Sequence, residues 1–282
     1  MRRHELSDQA WERIEPLLPV SRIGRPVRDR REIINAILWK LSTGAAWRDL
    51  PERYGPWKTA YERFRRWSAD GTWDRLLVQV QQHSDAVGIV DWSVASVDST
   101  IVRAHQHAAG ARKKGAPVGQ ALGRSRGGLS TKIHLVVDGR GLPLAFTVTG
   151  GNINDCTQLT QVMACVRIPR PGPGRPRTRP GRLLADKGYS SRAIRDYLRS
   201  RGIACTIPER DDQIAGRQRR NEKLCHFDRH LYRRRNVVER CFNRLKQNKA
   251  LATRYDKLAA HYQAIVTIAC LRLWLNDFAD TP

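Results

Sequence analysis

Long apolar runs and cysteine pairs are missing from this sequence. No apolar stretch approaches the roughly 18 residues that a membrane helix needs, and none follows Met1 as in a secretory signal. The six cysteines include no C-x-x-C pair, and four of them lie within apolar helical patterns: Cys156, Cys165, Cys241 and Cys270. We therefore expect these thiols to be small core residues of a cytoplasmic protein without a membrane anchor.

Acidic residues are also scarce, with 27 Asp and Glu against 51 Lys and Arg. The formal net charge of +24 would make a compact chain repel itself unless a polyanion neutralised it, so nucleic acid is the expected partner. Most of the basic residues are arginine, whose planar fork suits phosphate and guanine. Eight Trp and seven Tyr argue against a disordered basic tail, and 282 residues suit two domains.

The first part of the chain, residues 1–85, has the pattern of a small all-α domain. Ser7 has the spacing of a helix N-cap, and three further helical patterns follow. The third, at about 58–69, turns Lys58, Arg65 and Arg66 outward. This order of helices resembles a helix-turn-helix module that binds DNA in the major groove. The alternative is a small bundle whose charges only keep it soluble.

From Ser93 onward the pattern changes to alternating and β-branched residues. Strands are predicted at 94–101, 131–137 and 143–149. A fourth strand is predicted to start at Arg182 and a fifth to span 204–207, with helices between the later strands. Three antiparallel strands followed by helix-linked strands indicate a ribonuclease H-like α/β domain over 92–282, with a mixed five-stranded sheet flanked by helices.

Basic connecting segments interrupt this domain. They are the loop 103–129, the Pro- and Gly-rich linker 169–180 and a short insertion at 209–230. Phosphate contact is expected from the cations of the first loop: Arg112, Lys113, Lys114, Arg124 and Arg126. The pair His105-x-His107 lies there too, but no third ligand follows at a spacing typical of a metal site.

Two aspartates occupy positions that favour function. Asp98 lies inside a predicted strand, where an ionised carboxylate is costly unless it is paired or binds a metal. Asp186 follows a short buried strand, at the edge where open α/β sheets bind ligands. Asp138 is predicted to be a turn residue, and Asp155 to be a helix cap or first-turn acid.

A basic segment from Tyr232 to Lys246 contains no Gly or Pro and is predicted to form one helix. At about 100° per residue, Tyr232, Arg235, Glu239 and Lys246 share a narrow sector. The usual interpretation of one Glu among arginines is a solvated ion-pair face. In a ribonuclease H-like domain, however, Glu239 would converge with Asp98 and Asp186. Two divalent metals need such oxygen ligands.

These residues resemble a known family. Asp98 in V-D-S-T, Asp186 in D-K-G-Y and the Y-x2-R-x3-E-x6-K run of Tyr232, Arg235, Glu239 and Lys246 are similar to DDE transposases of bacterial insertion sequences. The resemblance is to insertion-sequence family five and covers nearly the whole chain. It implies that the three acids are catalytic metal ligands, and that Tyr232, Arg235 and Lys246 contact DNA near the scissile phosphate.

The resemblance predicts an enzyme that cleaves element ends and joins the 3′-hydroxyl to target DNA. It implies two Mg²⁺ ions, for which Mn²⁺ would substitute, and double-stranded DNA partners, namely terminal inverted repeats and target. A homodimer or larger assembly on DNA in the bacterial nucleoid is expected. Two alternatives stay open: a structure-specific nuclease that never joins DNA, and a DNA-binding regulator whose acids no longer act.

Overall fold

A computed structural model describes residues 4–19, 29–110, 119–125, 127–223, 225 and 227–279. The helical part comprises α1 (Asp8–Ile14), α2 (Arg30–Thr43), α3 (Trp57–Ala69) and α4 (Thr72–Ala86). The rest comprises β1 (Ala95–Ala104), α5 (Gln106–Ala109), β2 (Gly123–Ser125), β3 (Gly128–Asp138), β4 (Pro143–Gly150), α6 (Leu159–Ala164), β5 (Arg182–Leu184), α7 (Arg192–Ser200), β6 (Ala204–Thr206), α8 (Asp211–Arg219), α9 (Arg229–Tyr232), α10 (Asn236–Lys246), α11 (Lys249–Ala252), β7 (Thr253–Arg254) and α12 (Ala259–Ala279).

The four N-terminal helices form where capping and periodicity predict them. The Ser7 hydroxyl accepts a hydrogen bond from the Ala10 amide at 3.1 Å, which satisfies one of the free donors at the start of α1. Helix α3 buries Phe64 and Trp67 and leaves Arg65 exposed, as its amphipathic pattern requires.

The sheet has the ribonuclease H-like arrangement. Strand β1 pairs antiparallel with β3, which pairs antiparallel with β4. On its other edge β1 pairs parallel with β5, and β5 with β6. The five predicted strands therefore form the order β4-β3-β1-β5-β6, with helices against the sheet.

The structure adds to and corrects three local predictions. Two short strands were not predicted: β2 pairs with β3, and β7 with the end of β1. The segment from Tyr232 to Lys246 is not one uniform α-helix, because the backbone tightens into a 3₁₀ turn at Arg233–Arg235 between α9 and α10. Cys165 is exposed and Cys156 only half-buried, so the prediction of core positions was wrong for these two.

The turn between β3 and β4 confirms the prediction for Asp138. Its carboxylate is fully buried and accepts hydrogen bonds from the amides of Asp91, Arg140 and Leu142. Because these bonds tie the turn to the segment before β1, Asp138 stabilises the start of the strand that carries Asp98.

One hydrophobic core joins the helices to the sheet. It includes Leu6, Leu41 and Phe64 from the N-terminal helices, Val97 from β1 and Leu271 from α12. Across the same junction the Trp274 indole donates to the Pro143 carbonyl oxygen at 2.9 Å. Among the helices of the described ranges, none combines the length and the apolarity needed to cross a membrane.

Candidate active site

The sheet register brings Asp98 and Asp186 to the same edge of neighbouring strands. Ala95 pairs with Leu183 and Ser96 with Leu184, in parallel. Two residues past the second pair lie Asp98 in β1 and Asp186 just after β5. Parallel strands advance together, so this register aligns the two acids. The Asp186 carboxylate also accepts a hydrogen bond from the Gly188 amide at 2.8 Å, which fixes the turn that follows β5.

Helix α10 carries Glu239 over this edge. Its apolar face is buried against the core through Val237, Val238, Cys241, Phe242 and Leu245. Helix α10 also packs closely against the turn between β3 and β4. A Cβ on Gly141 of that turn, whose φ is +87°, would lie 3.1 Å from the Val237 carbonyl oxygen. Tight docking on one face leaves the Glu239 side chain about half exposed on the other, at 49%.

The Arg235 guanidinium lies between two of the three acids. Its Nη1 is 3.1 Å from Oδ2 of Asp98, and its Nη2 is 3.0 Å from Oε1 of Glu239. Its Nε also donates to the Tyr232 hydroxyl at 3.3 Å. Only 15% of the Arg235 side chain is exposed, so one cation bridges a buried and an exposed carboxylate.

Asp98 is the most perturbed acid of the site. Burial, the largest cause, and repulsion from Asp186 and Glu239 together raise its pKa to about 6, against the lowering effects of the Ser99 amide and Arg235. Arg235 therefore does not fully offset the cost of holding this charge in a partly buried position beside two other acids. Additional positive charge at this edge would favour the ionised form of Asp98.

The carboxylate oxygens of these acids suit a divalent metal, but in this structure the acids lie too far apart to bind one ion together. Carboxylate oxygens are the ligands that Mg²⁺ prefers, and burial and the neighbouring acids disfavour the charge of Asp98 in the absence of further positive charge. Within the described part of the chain, no three His, Cys, Asp or Glu side chains lie close enough to hold one ion. Arg235 stands between Asp98 and Glu239, and the half-exposed Glu239 has room to turn.

The other predicted contact residues lie in three regions. Tyr232 and Lys246 are half-buried on the segment that carries Glu239. Exposed cations Lys58, Arg65 and Arg66 lie on α3, where the last two line a surface cleft of about 780 Å³ together with Leu258 and His261 from the start of α12. Arg124 is exposed on β2. Arg112, Lys113, Lys114 and Arg126 lie outside the described residues.

A buried polar cluster beside the acids was not predicted. Lys132 Nζ lies 2.8 Å from Asp155 Oδ1 and donates to the Ile153 carbonyl oxygen at 2.7 Å. The buried His134 and Tyr189 lie near the same carboxylate. Within the described residues the Tyr189 hydroxyl has no hydrogen-bond partner, and burial, together with the nearby Asp155, Asp98 and Asp186, raises its pKa. Lys132 and His134 alternate with apolar residues in β3, and such polar residues in a buried strand were the available signal.

The His134 ring should make the protein sensitive to acid. Burial lowers its pKa from 6.5 to about 4, so the unfolded chain takes up the proton first as the pH falls. The contribution of His134 to the free energy of unfolding is complete above pH 6.5 and is lost as the pH falls toward 4, by an amount on the order of 3 kcal/mol. Urea unfolding across this range should show a shallower decline for His134→Gln. The exposed His107→Gln is the control, and equal slopes for wild type and His134→Gln would contradict the assignment.

Comparison with known proteins identifies similar proteins that belong to insertion elements. The chain is 32% identical over 146 residues to the "Putative transposase for insertion sequence element IS402" of Burkholderia cepacia, covering 52% of this chain and 63% of that protein. It is 29% identical over 148 residues to the corresponding IS6501 protein of Brucella ovis, covering 52% of this chain and 100% of the relative. Among solved structures, a piggyBac transposase synaptic complex with hairpin DNA aligns with a TM-score of 0.42 at 10% identity, over 98% of this chain and 79% of that one.

Two family models match separate parts of the chain. The one described as "Putative transposase of IS4/5 family" matches residues 6–77, which contain α1 to α3 and the start of α4. The one described as "Transposase DDE domain" matches residues 91–274, which contain the whole sheet and all three acids. Since this second match spans more than half of the sequence, the protein belongs to the family of DDE transposases of bacterial insertion elements.

Proposed function

We propose that this protein binds the ends of its own element as double-stranded DNA, cleaves them and joins the freed 3′-hydroxyl to target DNA. The observation that carries the proposal is the convergence of Asp98, Asp186 and Glu239 at one sheet edge. The register of β1 and β5 aligns the first two, and the docked helix α10 brings the third. Three acids on a chain of net charge +24 suit phosphoryl transfer better than ion pairing alone.

In this proposal Asp98, Asp186 and Glu239 would hold two Mg²⁺ ions, which Mn²⁺ could replace. Such ions activate the attacking oxygen and stabilise the leaving one. Glu239 would turn inward from its half-exposed position, and Asp98 would stay ionised beside the added charge. The Arg235 fork would then exchange its carboxylate partners for the scissile phosphodiester, which its two Nη groups can bind bidentately.

The DNA would lie on the basic surface around this edge. Tyr232 and Lys246 would contact it near the scissile phosphate, and the exposed cations of α3 would bind the element end. Phosphate contact by many cations predicts that binding weakens steeply with added salt. We also propose that two copies act together so that both element ends are processed in one complex. The two-domain division, at 1–85 and 92–282, and the nucleoid location complete this hypothesis.

The test is a cleavage and joining reaction with the purified protein. Its substrate is a duplex bearing the terminal inverted repeat that flanks this gene, with a supercoiled plasmid as target. We expect cleavage at the repeat and covalently joined products with Mg²⁺ or Mn²⁺, and neither product with a chelator.

Each alternative activity predicts a different result in that reaction. Cleavage at the repeat with no joined product would overturn the proposal in favour of a structure-specific nuclease. Sequence-specific binding that survives chelation, with no cleavage under any metal condition, would favour a regulator. The joined product is therefore the decisive measurement.

A further inference from the structure

Three aromatic side chains form an exposed group at the far end of β1, which we name the aromatic platform: Tyr255, His105 and His107. The Tyr255 and His105 ring centroids lie 4.9 Å apart, and those of His105 and His107 lie 4.4 Å apart. Tyr255 is 39% exposed, and His107 is exposed as well. Neither ring contributes to the hydrophobic core, so core packing does not explain the group.

The surrounding backbone holds the platform in place. The His105 amide donates to the Arg254 carbonyl oxygen at 2.9 Å, just where β7 pairs with the end of β1. His105 Nδ1 in turn accepts from the His107 amide at 3.3 Å. Arg254 itself is fully buried, so the residue next to it, Tyr255, is presented from a fixed point. Rings held in this way lose little freedom when a ligand stacks on them.

The platform lies downstream of the acids along one strand. Asp98 and Ala104 belong to β1, and a strand rises about 3.3 Å per residue, which separates the platform from Asp98 by about 20 Å. Helix α10 packs on β1 between them and leads through α11 into β7. Exposed Arg103 flanks the platform, and the Lys257 side chain lies against Gly110. DNA that runs from the acids along α10 would therefore reach these rings.

We infer that the aromatic platform stacks against an unpaired base of the bound DNA. Ring faces are unsuited to phosphates, which Arg103 and Lys257 can bind instead, and a paired base offers only its edge to a side chain. A base out of its duplex exposes a π-face that any aromatic ring can cover, without regard to sequence. This inference rests on the proposed function only in taking DNA as the ligand; it requires neither cleavage nor a metal.

The test compares two labelled duplexes of the same sequence, one fully paired and one with a short run of mismatched pairs. Binding of the full-length protein is measured by fluorescence anisotropy with a chelator present. Wild type should prefer the mismatched duplex, and Tyr255→Ala should lose about tenfold in affinity for it while binding the paired duplex unchanged. Tyr255→Phe keeps the ring and should keep the preference. Replacing the mismatched bases with abasic nucleotides should abolish the preference.

The control is Val87→Ala at the end of α4, which removes an exposed apolar side chain, 57%, without a ring. It should retain the preference, and thermal melts should show that each variant is folded. An unchanged preference in Tyr255→Ala, or an equal loss on both duplexes, would overturn the inference. The binding assay contains no metal and does not depend on cleavage. If the protein prefers the mismatched duplex but never cleaves DNA in the separate reaction, the result would contradict the proposed function and leave the stacking inference intact.

Discussion

Replacing Asp98 with Asn is expected to abolish cleavage and joining without destabilising the fold. The variant removes a carboxylate oxygen from the proposed metal site, and loss of such a group lowers rates by on the order of a thousandfold. The folded protein should tolerate the change because the Asn side-chain oxygen can still accept from the Ser99 amide, although the Asn NH2 group cannot accept from Arg235. The substitution also removes a largely buried negative charge that Asp186 and Glu239 repel. Glu239→Gln should lose activity similarly.

Three measurements check this result. Cleavage and joining are followed with Mg²⁺, melting temperature without metal, and melting temperature on addition of Mg²⁺. Added Mg²⁺ should raise the melting temperature of wild type more than that of Asp98→Asn, because only the former keeps every ligand. Asp196→Asn, at an exposed ion-paired acid of α7, is the matched control and should resemble wild type. Full activity of Asp98→Asn would refute the assignment.

Arg254→Ala should destabilise the fold strongly, although Arg254 lies outside the active site. The guanidinium is fully buried and donates to the carbonyl oxygens of Ala121, Asp256 and Lys257 and to the Thr131 hydroxyl, at 2.8 to 3.1 Å. Its removal takes the guanidinium donor from the Asp256 and Lys257 carbonyl oxygens, while the Ala121 oxygen still accepts from the Thr131 hydroxyl. We expect a loss of about 3 kcal/mol or more, and a melting temperature lower by about 10 °C.

Chemical denaturation of the variant beside a surface control measures this loss. Arg192→Ala is suitable because that side chain is 93% exposed and forms a surface ion pair with Asp196 in α7, so its removal should cost little. A loss below about 1 kcal/mol for Arg254→Ala would show that water or neighbouring groups replace its bonds. The same variant should also weaken stacking on Tyr255, since the buried neighbour no longer fixes it.

The sheet could be predicted because its main strands have strong local patterns. Alternating apolar residues in β1, β3 and β4 carry the signal within each strand. Strands β2 and β7 have three and two residues, too few for an alternating pattern; β2 pairs with the neighbouring β3, and β7 with the distant β1. The tightening at Arg233–Arg235 depends on backbone hydrogen bonds that no single residue type marks.

The acids of the candidate site could be predicted from the sequence, but the contacts that they make could not. A strand-interior Asp98 and a strand-end Asp186 are unusual enough to identify from sequence. The pairing of Arg235 with Asp98 joins residues far apart in the chain, and sequence suggested a phosphate partner instead. The Lys132–Asp155 ion pair was missed for the same reason: each residue has a common local explanation, and only the fold brings them together.

The shared core between the N-terminal helices and the sheet limits how DNA can be handled. Leu6 and Leu271 belong to the same buried cluster, and Arg272 donates to Ser42 at 2.6 Å across it. This packing ties the helices to the sheet. If DNA is held by α3 and α10 at once, as proposed, the fixed distance between them would set how many base pairs separate the bound sequence from the cut. Exchanging α1 to α4 for a different DNA-binding module would then expose part of the shared core before it could redirect the enzyme.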